Sequence, residues 1–119
     1  MDDTDHDGIH ILLDLKDCKA NLTDIKIPES IEKKVKEVGL TVITSFLHVF
    51  PGENSGYTGY ILLGESHVSL HTWPEKNLVN ACVYTCNVSG NNEQKCRDVS
   101  HYIIELFQST NYKENVIYR

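Results

Sequence analysis

Hydrophobic residues recur along the chain with two different periods, which separate predicted strands from predicted helices. Alternation and β-branched content predict six strands, and apolar residues at helical spacing predict two helices. The predicted strands are Gly8–Leu15, Leu40–Phe50, Tyr57–Gly64, His67–Trp73, Val79–Thr85 and Asn111–Tyr118. The predicted helices run from Pro28 to a stop at Gly39, and from Glu93 to Gln108.

These elements predict an α+β fold within a single domain spanning residues 1–119. Short connections between the central strands favour antiparallel neighbours. We therefore expect a two-layer α/β sandwich, with one antiparallel sheet and two helices on one face. The other sheet face would be uncovered, and exposed sheets of that size usually meet a partner. The pattern thus predicts a homodimer in which two sheets face each other.

Charge and composition narrow the range of functions. Seventeen acidic residues against eleven basic ones give a net charge of −6, which argues against nucleic-acid and anionic-membrane partners. The acidic residues 1–7 are unlike a basic signal-peptide start and predict a solvated tail. We therefore expect a cytoplasmic protein whose four cysteines are reduced.

The strand His67–Trp73 is unusually rich in chemically active side chains. Alternation places His67, Ser69, His71 and Trp73 on one of its faces. A solvated strand face with a half-buried tryptophan would explain this composition equally well. A Ser–His hydrolase is not favoured, because Ser66 lacks a glycine-flanked elbow and no aspartate lies nearby in sequence.

Strand geometry also argues against a metal site. His67 and His71 are four residues apart, or roughly 13 Å on a strand, which is too far for one ion. Cys82 and Cys86 fail as a pair for the same reason. We expect no metal, although a mixed site of His67 with Cys86 from a neighbouring strand stays open as an alternative.

A longer motif resembles a known family. The segment Glu65–Glu75 (ESHVSLHTWPE), followed by Tyr84-Thr85-Cys86, resembles the signature of the bacterial and archaeal S-adenosylmethionine decarboxylases. The segments Gly8–Leu15, Asn21–Asp24 and Ser45–Phe50 fit the same family, so the resemblance covers essentially the whole chain. Members of this family make a covalent pyruvoyl cofactor from their own chain.

The resemblance implies that the chain is a zymogen that cleaves itself between Glu65 and Ser66. Attack of the serine hydroxyl on the preceding carbonyl, elimination and hydrolysis would leave a β chain, 1–65, and an α chain, 66–119, beginning with the pyruvoyl group. In the family, that ketone forms a Schiff base with S-adenosylmethionine and withdraws electrons as CO2 leaves. The product donates the aminopropyl group in spermidine biosynthesis, a branch of polyamine synthesis.

The resemblance also implies roles for individual side chains. His71 matches the base, Cys86 the proton donor, and Thr58 the hydroxyl that supports processing. Glu75 matches the glutamate that binds the ribose hydroxyls, while Phe50 and Trp73 are candidates for stacking on the adenine.

The expected roles of Ser66 and His71 conflict with strand geometry inside one subunit. These residues are five positions apart, which is roughly 16 Å along a strand and places them on opposite faces. The family resolves this by building each site across a dimer. We therefore expect Ser66 and Cys86 of one subunit to work with Thr58, His71 and Glu75 of the other.

The sequence departs from the family pattern at three positions and leaves two alternatives open. Thr58 replaces the usual serine, Cys82 the usual aspartate, and Asn87 the usual glycine. Related pyruvoyl enzymes act on arginine or ornithine, and an unprocessed homologue without catalytic activity is a further alternative. The retained Glu75 favours the nucleoside substrate.

Overall fold

The computed structural model describes residues 7–88 and 90–119, so the predicted acidic tail lies outside the described residues except for Asp7. The strands are β1 (Gly8–Cys18), β2 (Val42–Val49), β3 (Tyr57–Leu63), β4 (Ser66–Trp73), β5 (Leu78–Cys86) and β6 (Ser109–Tyr118). The helices are α1 (Lys26–Glu37) and α2 (Glu93–Phe107), and a short 3-10 turn spans Pro74–Lys76.

The strands form one antiparallel sheet in the order β2-β3-β4-β5-β1-β6. Hairpins connect β2, β3, β4 and β5 in sequence, and β1 then lies between β5 and β6. Helix α2 packs on β1 and β5, and α1 packs beside α2. The prediction of an α+β sandwich with a single antiparallel sheet and two helices is confirmed.

The core lies between the helices and one face of the sheet. Strand β1 contributes every second side chain, and α2 contributes Val99, Ile103 and Phe107, all fully buried. Both helices end where the backbone turns left-handed: Gly39 follows α1 with φ +97°, and Gln108 follows α2 with φ 52°. About twenty apolar side chains are buried in this core. Their burial fixes which face of the sheet packs on the helices and leaves the opposite face towards solvent.

The opposite face, which we call the open face, carries large hydrophobic side chains in contact with solvent. Phe46 is 64% exposed, Ile117 46%, Trp73 41% and Leu12 37%. The strand registers place these residues on the same face of the sheet as four imidazoles, those of His10, His48, His67 and His71. Within the described residues, no helix is long and apolar enough to cross a membrane.

Candidate active site

The tight hairpin between β3 and β4 positions Ser66. Two residues, Gly64 and Glu65, connect the strands, and Leu63 pairs directly with Ser66. Glu65 adopts φ 62°, a left-handed conformation that costs a non-glycine residue about 1–2 kcal/mol. The strained residue is therefore the one whose carbonyl precedes Ser66.

The Ser66 hydroxyl is buried and held by the end of β5. Only 6% of the residue is exposed, and its Oγ accepts a hydrogen bond of 3.0 Å from the backbone N–H of Cys86. An N–H donor directed at this oxygen favours negative charge on it, as a nucleophilic hydroxyl requires. Ser66 and Cys86, twenty residues apart in sequence, thus meet in one subunit.

The backbone around Cys86 is fixed by a residue that the sequence analysis did not single out. Asn92, immediately before α2, donates from Nδ2 to the Cys86 carbonyl over 2.7 Å. Its own N–H donates to Oδ1 of Asn87 over 2.9 Å. Asn92 therefore couples the start of α2 to the strand end that contacts Ser66. No motif in the sequence marks this contact.

A broad cavity opens at this end of the sheet. It has a volume of about 760 Å³, within the range of small-molecule sites. Its lining includes Tyr60, Ser66, His67, Tyr84 and Arg119. The buried hydroxyl therefore borders a space large enough for a nucleoside-sized ligand.

A second group of predicted residues gathers at the other end of β3 and β4. Thr58 and His71 are paired across the two strands, and Thr58 Oγ1 lies 3.0 Å from His71 Nδ1. They line a cavity of about 480 Å³ together with Phe50, Trp73 and Glu75. Five of the eight predicted site residues therefore share one cavity.

Trp73 is oriented by a short polar chain on the open face. Its indole Nε1 donates to Asn80 Oδ1 over 2.9 Å, and Asn80 Nδ2 donates to Asp14 over 2.8 Å. The Lys76 ammonium lies 5.7 Å from the indole ring. These contacts hold an exposed aromatic ring beside Glu75, which lies in the 3-10 turn.

The structure does not bring the two groups of residues together within one chain. The cavity at Ser66 and the cavity at His71 have no lining residue in common. The two residues lie near opposite ends of β4, and Ser66 is buried while His71 is exposed. A single subunit therefore holds two incomplete halves of the predicted site.

The open face also contains a cluster that the sequence analysis missed. Nε2 of His10 contacts Cys82 Sγ, and Cys82 Sγ lies 3.9 Å from His67 Nε2. Burial lowers the pKa of both imidazoles and raises the pKa of the thiol. His67 is thus brought together with Cys82, whereas the mixed site considered from the sequence paired it with Cys86.

Comparison with known proteins identifies the family. The family model for S-adenosylmethionine decarboxylase matches residues 9–119. The chain belongs to the S-adenosylmethionine decarboxylase family. It is 41% identical over 101 residues to the S-adenosylmethionine decarboxylase proenzyme of Aquifex aeolicus, covering 83% of this chain and 71% of that protein. A proenzyme of the same name from Archaeoglobus fulgidus is 32% identical, covering 94% and 96% of the two chains.

A solved structure agrees with this assignment. The crystal structure of the adenosylmethionine decarboxylase from Aquifex aeolicus superposes with a TM-score of 0.82 at 35% identity, covering 96% of this chain and 91% of that chain. The family and the carboxy-lyase class predicted from the sequence are therefore confirmed. The names of these relatives favour S-adenosylmethionine over arginine or ornithine.

Proposed function

We propose that this S-adenosylmethionine decarboxylase family member is made as a precursor that cleaves itself between Glu65 and Ser66. The mature enzyme then converts S-adenosylmethionine to the aminopropyl donor for spermidine. The observation that carries this proposal is the buried Ser66 hydroxyl, bound by the Cys86 N–H and placed directly after a strained residue. A cytoplasmic location stays a prediction.

Self-cleavage follows from the position of Ser66. Its Oγ bonds to the Glu65 carbonyl carbon while the Glu65–Ser66 C–N bond breaks, so the amide becomes an ester and the nitrogen gains a proton. A base then removes the Ser66 α-proton, and the Cβ–Oγ bond breaks to release Glu65 as a carboxylate. Hydrolysis of the remaining dehydroalanine releases ammonia and leaves a ketone at residue 66.

The residues around Ser66 fit a pyruvoyl group formed there. The position is buried and borders the larger cavity, and the Cys86 N–H contacts the serine oxygen that leaves during the conversion. The pyruvoyl group supplies the electron sink for loss of CO2. Cys86 would lie beside the group, and its thiol would supply the proton that the substrate carbon takes up after decarboxylation.

The second group of residues binds and orients the substrate. Glu75 accepts hydrogen bonds from the ribose hydroxyls, and the exposed rings of Phe50 and Trp73 flank the adenine. Aromatic faces also attract the sulfonium charge of the substrate. His71, hydrogen-bonded to Thr58, is the base for the processing step.

We further propose that a homodimer assembles the complete site. The separation of Ser66 and Cys86 from Thr58, His71 and Glu75 supports this arrangement, because neither cavity of a single chain contains both groups. The exposed hydrophobic side chains of the open face favour burial against a second sheet. A two-fold axis would produce two identical sites, each shared by both subunits.

Mixing inactive variants tests the shared site. Ser66→Ala and His71→Ala each remove one half of the proposed processing site. The chains of either variant homodimer should therefore stay uncleaved. In a heterodimer, the His71→Ala chain keeps Ser66 and its partner keeps His71, which restores one of the two sites. Random pairing of equal amounts predicts cleavage of about half of the His71→Ala chains and none of the Ser66→Ala chains.

Denaturing mass spectrometry counts the cleaved chains, and the two proteins are co-expressed so that their subunits mix during assembly. Verified heterodimers that remain wholly uncleaved would place the site within one subunit. Release of labelled CO2 from S-adenosylmethionine, arginine and ornithine tests the substrate separately. Turnover of an amino acid without turnover of S-adenosylmethionine would contradict the nucleoside assignment.

A further inference from the structure

Three side chains outside the proposed catalytic residues converge on the open face. His10 of β1 and His67 of β4 both pair with Tyr84, and therefore lie on either side of β5. Cys82 lies two residues before Tyr84 on β5, so its thiol points to the same face as the imidazoles. The sheet thus directs three potential ligands from three adjacent strands towards one point.

The distances between these ligand atoms are close to those that a metal ion requires. One ring nitrogen of His10, one ring nitrogen of His67 and Sγ of Cys82 all lie within 4.8 Å of one another. Tetrahedral zinc, with bonds of ~2.0–2.3 Å, holds neighbouring ligand atoms about 3.3–3.6 Å apart. All three residues are only partly buried.

We propose that His10, His67 and Cys82 form a zinc site. One thiolate and two neutral imidazoles are a donor set that suits a borderline-soft divalent ion. Three protein ligands leave the fourth tetrahedral position free for a further ligand. The proposal does not rest on the decarboxylase function, although His67 also lines the cavity at Ser66.

The surroundings of the cluster also fit a bound ion. Ser69, paired with Cys82 across β4 and β5, hydrogen-bonds to the thiol. The rings of Tyr60 and Tyr84 lie 5.6 and 5.7 Å from the His67 ring and restrict its motion.

One nearby charge opposes binding, and the thiolate offsets it. Arg119 lies 5.8 Å from the Tyr84 ring, and its positive charge acts on His10. Zinc binding would release the Cys82 proton, so the bound ion and its ligands carry one positive charge rather than two.

Cobalt is the probe for this site, because a cobalt–thiolate bond produces a charge-transfer absorption and zinc does not. The full-length protein is treated with chelator, reduced and titrated with Co2+. We expect the charge-transfer band to saturate at one ion per chain, and Zn2+ to displace it. We also expect Zn2+ to raise the melting temperature of the protein.

Matched variants locate the ion. Cys82→Ala should abolish the charge-transfer band, and His10→Gln should weaken Zn2+ affinity by more than about tenfold. Cys86→Ala removes the other thiol of β5. This variant should retain the band, because Cys86 is not one of the proposed ligands. His101→Gln alters a solvent-exposed imidazole on α2 and should bind Zn2+ like the unaltered protein.

Three results would overturn the proposal: no band in the unaltered protein, a band that survives in Cys82→Ala, or a band lost only in Cys86→Ala. Circular dichroism of each variant shows whether it is folded. If Cys82→Ala does not fold, the His10→Gln titration decides, because unchanged Zn2+ affinity in that variant contradicts the site.

Discussion

The left-handed conformation of Glu65 gives a quantitative prediction about self-cleavage. With φ at 62°, Glu65 carries about 1–2 kcal/mol of backbone strain that glycine does not. In the proposed cleavage, the strained residue provides the carbonyl that Ser66 attacks, so breaking the Glu65–Ser66 bond releases the strain. Since 1.36 kcal/mol corresponds to tenfold in rate, Glu65→Gly should slow cleavage by about 5- to 30-fold.

The assay is a time course after cell-free synthesis, with intact and cleaved chains counted by denaturing mass spectrometry. Glu65→Ala serves as the comparison, because alanine keeps the backbone strain but removes the carboxylate. It should therefore cleave faster than Glu65→Gly. Gln108→Gly relieves the same conformation at the end of α2, far along the chain from Ser66, and should leave the cleavage rate unchanged.

Equal cleavage rates for Glu65→Gly and the unaltered chain would refute the reasoning. That result would show that the strain at Glu65 persists through the rate-limiting step. If Gln108→Gly slowed cleavage to the same extent, the reasoning would also be refuted. The slower cleavage would then come from a change in global stability and not from strain in the Gly64–Glu65 turn.

Three further predictions concern processing and stability. Thr58→Val removes the hydroxyl 3.0 Å from His71 Nδ1 and should slow cleavage by roughly 2- to 12-fold, whereas Thr58→Ser should retain most of the rate in the same assay. Burial lowers the pKa of His10 and His67 below the ordinary 6.5, so the unfolded chain binds more protons than the folded chain. The free energy of unfolding should therefore fall as pH drops through and below about 6.5, and replacing both histidines with glutamine should flatten that loss in denaturant titrations. Phe107→Ala empties a fully buried position and should reduce the free energy of unfolding by about 3–5 kcal/mol, and a loss below 1 kcal/mol would show that α2 is not part of the core.

Local pattern was sufficient to predict most of the fold. Strand β4 alternates between buried and exposed residues as its polar and apolar positions predict, so the outward direction of His71 and Trp73 could be read from the sequence. Helix α2 buries Cys96, Val99 and Ile103 at the predicted spacing. Both signals depend only on the period of a single element.

Contacts between segments that are distant in sequence could not be predicted from the pattern of single elements. His10 and Cys82 are 72 residues apart and meet only because β1 inserts between β5 and β6. Nothing in the local pattern of β1 specifies this strand order. The contact between Asn92 and the Cys86 carbonyl depends in the same way on where α2 begins relative to the end of β5.

The Gly64–Glu65 turn between β3 and β4 also differs from what its composition suggests. In a two-residue Gly64–Glu65 connection, glycine is the residue that tolerates a positive φ most easily. The structure instead gives the left-handed conformation to Glu65. Pairing of Leu63 with Ser66 closes the hairpin in these two residues.

The mass of the mature protein under denaturing conditions tests the central claim most directly. The account predicts two fragments, residues 1–65 and residues 66–119, and a ketone at the start of the second that reacts with a carbonyl-trapping reagent. A single folded chain of 13.5 kDa that stays intact on prolonged incubation, with serine still at position 66, would contradict it.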